Sequence, residues 1–522
     1  MSKNIYLTGF MGSGKTTVGK LLARSLKRKF IDMDHMLEKQ FRMSIPRVFA
    51  TKGEEEFRTR ENLLLSSLSA REHLVVATGG GVPEKRDNRE LMRRSGKTIY
   101  LDADLQLCMA RLNLADRNSR PMWQDGEALK DLFSRRKTLY RECDLTVHVD
   151  KRSPEETSEA IISELLQEHR FSARLGDAEC PVIATSQAPE ALAELVRGRR
   201  VALVTDRNVA RIHLNRFRRV LDDPVEIIIQ PGERSKTLNS ARRIYETLLT
   251  RRFDRDDILV AVGGGVVTDL GAFAAATFKR GMDLALVSTT LLGCVDAAVG
   301  GKAAVNLGPA KNVVGCFSTP TLVILDMLSL STLNRKQVSE GLVEAYKTGL
   351  VALPDLAELI QLETKRLRAR DLPLLAEVAA LSAEAKADVV AEDFREAGKR
   401  RILNFGHTFG HAAESFHRFK ISHGQAVALG MRVATRLSRA RGFISEQTAA
   451  SIESTLRLIS PYRVKCPPLE ESWEIMRHDK KIRGGRIVFV LLKAIARAVC
   501  VDDVSREELA AVLSRIEEES DG

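Results

Sequence analysis

The chain opens with an apolar run, Asn4 to Thr8, that stops at a glycine loop, and a helical periodicity follows through Leu26. A short buried strand before a glycine turn, with a helix after it, predicts an α/β unit. The pattern recurs in strands at Phe30–Met33 and Leu74–Ala77, the second running into Gly79–Gly81, and in helices that contain RRKTLYRE and span Pro154–Glu168. From His169 to Glu179 the chain is polar, contains a glycine and shows no period, which predicts a linker. A new alternation then begins. Strands are expected at Arg200–Asp206 and Glu226–Gln230, a helix through Thr250, and a buried strand at Ile258–Val262 that leads into Gly263–Gly265. Further on, Phe405–His417 reads as a helix, while the apolar run Ile258–Phe278 is broken by Asp269 and by glycines and predicts no membrane span.

Length and charge narrow the picture. At 522 residues the chain exceeds one core, and a prior of about 100 to 200 residues per domain gives roughly three domains. The net charge of +12 comes from 81 basic residues interspersed with 69 acidic ones. They form no basic tail or stripe, so small anionic substrates account for the excess and no nucleic-acid partner is expected. Seven cysteines without a C-x-x-C pair argue against a disulfide framework or a thiolate zinc site. With no charged-then-apolar leader after MSKN, a cytoplasmic location and no membrane partner are expected.

Three stretches carry chemistry. The first, G-F-M-G-S-G-K-T from Gly9 to Thr16, sits between strand and helix as a phosphate-cradling loop must. Backbone N–H groups at Gly12, Ser13 and Gly14 would hold nucleoside triphosphate phosphates, Lys15 would reach the outer ones, and Thr16, with Thr17 beside it, would serve Mg2+ and the phosphates. Of the pair Asp32 and Asp34, one carboxylate can order Mg2+ and water while the other takes a proton from an alcohol. The second, Gly263–Gly265, permits close approach to a pyrophosphate without being the G-x-G-x-x-G fingerprint, so a dinucleotide and a close-packed turn both remain open. The third, NFGHTFGHAAESFHRFKISHGQ from Asn404 to Gln425, puts His407 and His411 one helical turn apart and His423 beyond a His-Gly break. That suits a zinc-like ion, and spacing alone leaves open which of the three imidazoles bind it.

Taken with Gly53-Glu-Glu-Glu-Phe-Arg58, Gly79–Gly81, Arg117 to Pro121 and Arg136, the first module resembles shikimate kinase along essentially its whole length. The resemblance implies ATP with Mg2+, shikimate held by Asp34, Arg58, Arg136 and the turn Gly79, Gly80, Gly81, and a lid in which Arg120 closes over the phosphates with Arg117 nearby. Met122-Trp123 stands where the family more often has two leucines, a departure that touches lid packing and no charge.

The remainder resembles 3-dehydroquinate synthase from about Pro181 to Val501, through TTLLGCVDAAVGGKAAVN (Thr289–Asn306), the AKN ending at Asn312, EGLVEAYKTG (Glu340–Gly349) and the histidine stretch. It implies that zinc, or another divalent transition metal, is held by Glu344, His407 and His423, with His411 turned to the substrate. NAD is assigned to Asp206, Glu233, Lys236, Gly264, Gly265, Asp269, Thr289, Thr290, Asp296, Lys302 and Lys311. The heptulosonate phosphate substrate is assigned to Lys302, Asn312, Lys347, Lys386, Arg400, Asn404 and His411, with Glu396 and a lysine of Asp479-Lys480-Lys481 nearby. Four positions depart from the family: Thr268, Ser288, Cys294 and Gln425, of which Thr268 and Gln425 bear on the nucleotide turn and the metal surroundings.

The expected fold class is therefore α/β. It comprises a P-loop kinase domain with a parallel sheet (1–170), a linker (171–179), an α/β NAD-binding domain (180–335) and a mostly helical metal- and substrate-binding domain (336–522). A homodimer through the synthase part is expected. The rival readings are a kinase fused to a metal-dependent alcohol dehydrogenase, which would accumulate NADH, and a basic nucleic-acid-binding scaffold, whose binding would weaken with salt.

Overall fold

The computed structural model describes residues 4–111, 126–308, 310–477 and 486–521. The chain divides into two compact units, Met1–Leu165 and Leu166–Gly522.

The first unit is built on a five-stranded sheet in the order β2-β3-β1-β4-β5, where β1 is Asn4–Thr8, β2 Lys29–Asp32, β3 Leu74–Ala77, β4 Gly96–Asp102 and β5 Leu145–His148. Every pairing is parallel. The central β1 and β3 are buried at all positions, while the edge strands β2 and β5 alternate, as expected for a sheet covered by helices on both faces. One face packs Tyr6, Val76, Leu64, Leu65 and Leu68 into a core that the helix Ile45–Ser69 closes.

The second unit contains a seven-stranded sheet in the order β6-β7-β14-β11-β10-β8-β9. Its strands are β6 His169–Leu175, β7 Ala178–Thr185, β8 Val201–Asp206, β9 Val225–Ile229, β10 Ile258–Gly263, β11 Asp283–Ser288 and β14 Leu322–Asp326. A separate antiparallel pair, β12 Lys302–Leu307 and β13 Ala310–Phe317, leaves between β11 and β14. The expected linker at 171–179 is corrected here. It is an antiparallel hairpin in which Phe171, Ala173 and Leu175 face inward and Gly176-Asp177 turns the chain into β7. Three apolar inward residues among polar ones suffice for an edge strand, because its other face and edge meet water.

From Arg335 onward the chain is mostly helical. Arg335–Val351 starts on a capping box between Asn334 and Gln337 and is buried at nearly every position from Val338, so it is the central rod of this region. The helices His407–Phe416 and His423–Ala440 lie side by side, and Gly430 lets them touch: a Cβ there would stand 1.9 Å from the Gly406 carbonyl oxygen. A final hairpin, β15 Phe489–Ala494 with β16 Arg497–Val501, precedes the last helix. No described helix is long and apolar enough to cross a membrane, and all seven cysteines are free thiols.

Candidate functional site

Each unit has its own cluster of candidate residues. In the first, β1 delivers the chain into the glycine loop and the helix Lys15–Ser25 leaves it with no side-chain cap, so the first N–H groups of that helix face the loop. Lys15 folds back across it, its Nζ donating to the Gly9 and Phe10 carbonyls at 2.8 and 2.9 Å. Burial pushes this ammonium's pKa down, against Asp34, Cys108 and Asp32, which pull it up. A phosphate would supply the counter-charge those carbonyls only approximate. Thr16 Oγ1 donates to Asp32 Oδ2 at 2.7 Å, and Asp32 also caps the next helix through His35 N–H at 3.2 Å. The hydroxyl and carboxylate thus meet where the loop ends, a pairing that fits a hydrated Mg2+.

The turn after β3 gathers the other predicted residues. A Cβ on Gly79 would stand 2.8 Å from Asp34 Oδ1, and one on Gly81 only 2.3 Å from Arg58 Nη1, so the turn is bare because two side chains press against it. Arg58 Nη1 donates to Glu61 at 2.8 Å and Arg136 Nε to Glu84 at 2.6 Å. Burial, with Asp34 adding to it, raises the Glu61 carboxyl pKa against the pull of Arg58. Asp34, Arg58, Gly79–Gly81 and Arg136 lie together at this turn, whereas Arg117 and Arg120 lie outside the described residues. Glu61 and Glu84, which hold the two arginines, escaped the sequence reading. Glu61 carried a signal, sitting three residues past Arg58 on one helix; Glu84 carried none.

In the second unit the metal candidates converge from two directions. Glu344 comes from the buried rod Arg335–Val351, and the imidazoles from the two helices that close on Gly430. Ligand atoms of Glu344, His407 and His423 all lie within 4.8 Å of one another. His423 Nε2 is 3.2 Å and His407 Nε2 3.6 Å from Glu344 Oε1. His411 falls instead into a second group with Glu414 and His423. The other nitrogen of His423 faces Glu414 at 3.6 Å, and Glu414 also meets Lys311 at 3.2 Å.

The electrostatics test whether a cation fits. Both Glu344 oxygens are buried without a well-formed hydrogen bond among the described residues. Burial would raise this carboxyl's pKa, yet Lys347, His407 and His423 hold it well below the usual range. Burial would likewise lower the His423 pKa, and Glu344 with Glu414 pushes it up to about 10. A proton held that tightly between two carboxylates marks a place that demands positive charge. One carboxylate and two imidazoles fit a zinc-like ion.

Around this group stand buried cations. Lys347 meets Glu344 at 2.5 Å, Lys386 Nζ donates to Asp296 Oδ1 at 2.6 Å, and Arg400 donates to the Phe394 and Gly300 carbonyls at 2.7 and 2.9 Å. Lys347, Lys386 and Arg400 are 3%, 7% and 3% exposed. Lys347 and Lys386 face Glu344 and Asp296, while Arg400 lies against Glu396, Asp296 and Asp393 and spends its guanidinium hydrogen bonds on carbonyls, so these cations form one interlocked group with the carboxylates. Burial pushes the Lys386 pKa down against Asp296, and Lys386 with Lys347 keeps Asp296 well below its usual range despite burial. Asn404 donates to Glu396 Oε1 at 2.7 Å, and Glu396 also pairs with Lys302.

The predicted nucleotide residues line the C-terminal end of the sheet. Gly264 opens the helix Gly265–Thr277 without a side-chain cap, and the Thr289 hydroxyl is buried with no hydrogen-bond partner among the described residues. Both observations fit a phosphate-bearing group at this turn. Lys236 bridges Asp269 and Asn312, Glu233 accepts from Asn306 at 2.8 Å, and Thr290 Oγ1 accepts from Gly293 N–H at 3.0 Å. Asp206 is occupied as a helix cap, accepting from Asn208 and Val209 N–H at 2.8 and 3.0 Å. Lys302 and Lys311 point to Glu396 and Glu414, on the histidine side of the cluster.

The four departures are absorbed locally. Thr268 Oγ1 donates back to Gly265 O at 3.1 Å, and Cys294 Sγ to Ser288 O at 3.7 Å. Gln425 completes a capping box, its Oε1 accepting from Ser422 N–H at 2.8 Å, so it serves the helix start. Asp479, Lys480 and Lys481 lie outside the described residues.

Comparison with known proteins agrees with this division. The shikimate kinase family model matches residues 11–168, and the models for the 3-dehydroquinate synthase N-terminal and C-terminal parts match 226–340 and 341–482. A bifunctional shikimate kinase/3-dehydroquinate synthase from Thermotoga maritima is 34% identical over 501 residues, which span 94% of this chain and 96% of that one. A 3-dehydroquinate synthase from Rhodopseudomonas palustris is 39% identical over 62% of this chain and 89% of its own. Among solved structures, a 2-epi-5-epi-valiolone synthase from Streptomyces hygroscopicus subsp. jinggangensis, with NAD+ and Zn2+ bound, matches 67% of this chain and 100% of its own, at a TM-score of 0.61 and 26% identity.

Proposed function

The chain belongs to the bifunctional shikimate kinase/3-dehydroquinate synthase family, and from that premise we propose what each of its two sites does. The first transfers the γ-phosphoryl group of ATP to shikimate, giving shikimate 3-phosphate. The second converts 3-deoxy-D-arabino-heptulosonate 7-phosphate to 3-dehydroquinate with release of phosphate.

In the kinase the glycine loop and Lys15 hold the nucleotide phosphates, and Thr16 with Asp32 would hold Mg2+. Arg58 and Arg136 grip the shikimate carboxylate and hydroxyls, and Asp34 accepts the proton of the attacking hydroxyl. Catalysis here is chiefly positioning and charge neutralisation.

In the synthase, Glu344, His407 and His423 would hold zinc or a similar ion. NAD would lie along Gly264, Gly265, Thr289 and Thr290, with Lys236 and Asp269 at its edge. Bound there, the two supply a Lewis acid and a hydride acceptor for one ring alcohol of the substrate. Lys347, Lys386 and Arg400 bind the phosphate dianion and steady it as it leaves. Asn404, set by Glu396, orients the substrate, and His411 accepts or returns a proton beside it. The observation that carries this reading is the group of three buried cations, Lys347, Lys386 and Arg400, beside the triad of Glu344, His407 and His423.

A paired assay on one preparation tests both halves: ADP release with shikimate, and phosphate release from the heptulosonate phosphate without net NADH. Absence of the first removes the kinase reading. Steady NADH formation from a simple alcohol, without phosphate release, replaces the synthase by a dehydrogenase.

A further inference from the structure

The turn that follows β3 is held by more than its glycines. Val82–Glu84 forms one tight turn, with Glu84 N–H donating to the Gly81 carbonyl at 3.0 Å. Arg89 grips it from outside, its Nη1 donating to the Pro83 and Glu84 carbonyls at 2.7 and 3.2 Å while its Nε meets Glu142 at 2.8 Å. From the inner side, two residues one turn apart on the helix Gly126–Tyr140 close on it. Tyr140 Oη donates to the Gly80 carbonyl at 2.6 Å, and Arg136 Nε donates to Glu84 Oε1 at 2.6 Å.

A guanidinium offers a carboxylate two forked edges, one made by Nε with Nη2 and one by Nη1 with Nη2. Glu84 takes Nε and the Tyr140 hydroxyl lies beside the same guanidinium; among the described residues the Nη1/Nη2 edge meets no carboxylate. Nη1 is also the atom turned to the glycine turn, 3.5 Å from where a Cβ on Gly80 would stand. The Arg136 side chain is 10% exposed and that of Glu84 31%, so the pair is more sheltered than an ordinary surface ion pair.

We propose that Glu84 is a positioning residue for substrate recognition: by occupying Nε of Arg136 it aims the Nη1/Nη2 edge across the glycine turn at the carboxylate of the incoming acid. The inference rests on the shikimate kinase reading above. It makes the orientation of this arginine a property of the empty site, set before the substrate arrives.

The test measures Michaelis constants for shikimate and for ATP in the full chain, with Glu84→Ala and Glu84→Gln each made alone and beside Arg136→Lys. Glu84→Ala is expected to raise the shikimate KM about tenfold, the scale of one charge-assisted hydrogen bond, and to leave the ATP KM and synthase turnover unchanged. Glu84→Gln keeps an acceptor oxygen and restores most of the loss. Lysine has no Nε edge to fix, so beside Arg136→Lys the same Glu84→Ala change should add nothing. An unchanged shikimate KM in Glu84→Ala overturns the proposal. So does a lower one, since Glu84 would then be competing with the substrate. If Glu84→Ala does not fold, Glu84→Asp, one methylene too short for Nε, decides by the same criterion. Failure of the unmodified protein to phosphorylate shikimate is a separate result, and it removes the kinase reading itself.

Discussion

The two sites treat charge in opposite ways. In the kinase unit each arginine beside the glycine turn already has a carboxylate of its own, Glu61 for Arg58 and Glu84 for Arg136. In the synthase unit the charges interlock instead: Lys347, Lys386 and Arg400 are buried among Glu344, Asp296 and Glu396, and His423 is pressed between Glu344 and Glu414. A balanced site binds by exchanging partners and is stable when empty. A network of buried charges is costly to leave incomplete, so removing one member disturbs several others.

The largest expected effect is a double dissociation. Lys15→Met should cut ADP release with shikimate by about a hundred- to a thousandfold, the range for losing one preorganised charge contact, with phosphate release from the synthase substrate intact. His423→Ala should do the reverse and lose bound metal, whereas His411→Ala keeps metal and loses rate. Metal analysis with the two histidines interchanged would return the helical pair, His407 and His411, as the ligands.

Next in size is Glu414→Gln, which leaves the triad intact but removes the carboxylate behind His423. Metal affinity should fall by about ten- to a hundredfold, as for other changes one layer behind a ligand, with kinase activity untouched. Competition with a chelator reads this directly, and an unaltered affinity would show that Lys311 alone occupies Glu414.

A smaller effect is a pH dependence confined to the metal-free synthase. The folded-state pKa of His423 is raised from 6.5 to about 10. Its contribution to stability is therefore complete below pH 6.5 and is lost as pH rises through 10. Metal binding needs the neutral imidazole, so the gain in Tm on adding Zn2+ should grow between pH 7 and 9.5. Thermal scans with and without Zn2+ check the sign, and a gain that shrinks with pH contradicts it. At the acid end, Glu414, lowered from 4.5 to about 2, contributes above pH 4.5 and is lost as pH falls toward 2.

The smallest effect concerns where the chain can be divided. Cutting between Leu165 and Leu166 should give two soluble fragments, each close to its rate in the whole chain, because each candidate site is complete within its own unit. Cutting at Arg174 severs β6, so the synthase fragment should melt lower by a few degrees, on the order of 1 kcal/mol for a frayed edge strand. Equal melting of the two versions of that fragment would mean β6 adds nothing.

What the sequence disclosed follows from range. The glycine loop, Asp34 and the histidine stretch are local patterns, and local patterns survive as text. The pairing of Glu84 with Arg136 spans 52 positions and that of Lys311 with Glu414 spans 103, so only the folded topology reveals them. Two misses were legible. Ser422-His-Gly-Gln425 is a capping box of the S-x-x-Q kind, and Phe171, Ala173 and Leu175 keep a period of two that the charged residues between them disguise. The grouping of His407 and His423 with Glu344 depends on a side chain that arrives from a different helix.

The edge hairpin at the start of the second unit has a consequence for the nascent chain. β6 and β7 emerge from the ribosome directly after the kinase unit, yet β7 pairs on its other side with β14, whose first residue is Leu322. At about 5–20 residues per second, β7 waits roughly 7 to 30 seconds between the synthesis of Thr185 and that of Leu322 with one edge unsatisfied. Arg170, Ser172 and Arg174 on the outer positions of β6, with Pro181 in β7, are residues that discourage strand-to-strand adhesion. The polar look of this stretch is thus suited to an interval of translation, during which a stickier hairpin would recruit the nearest neighbour on the polysome.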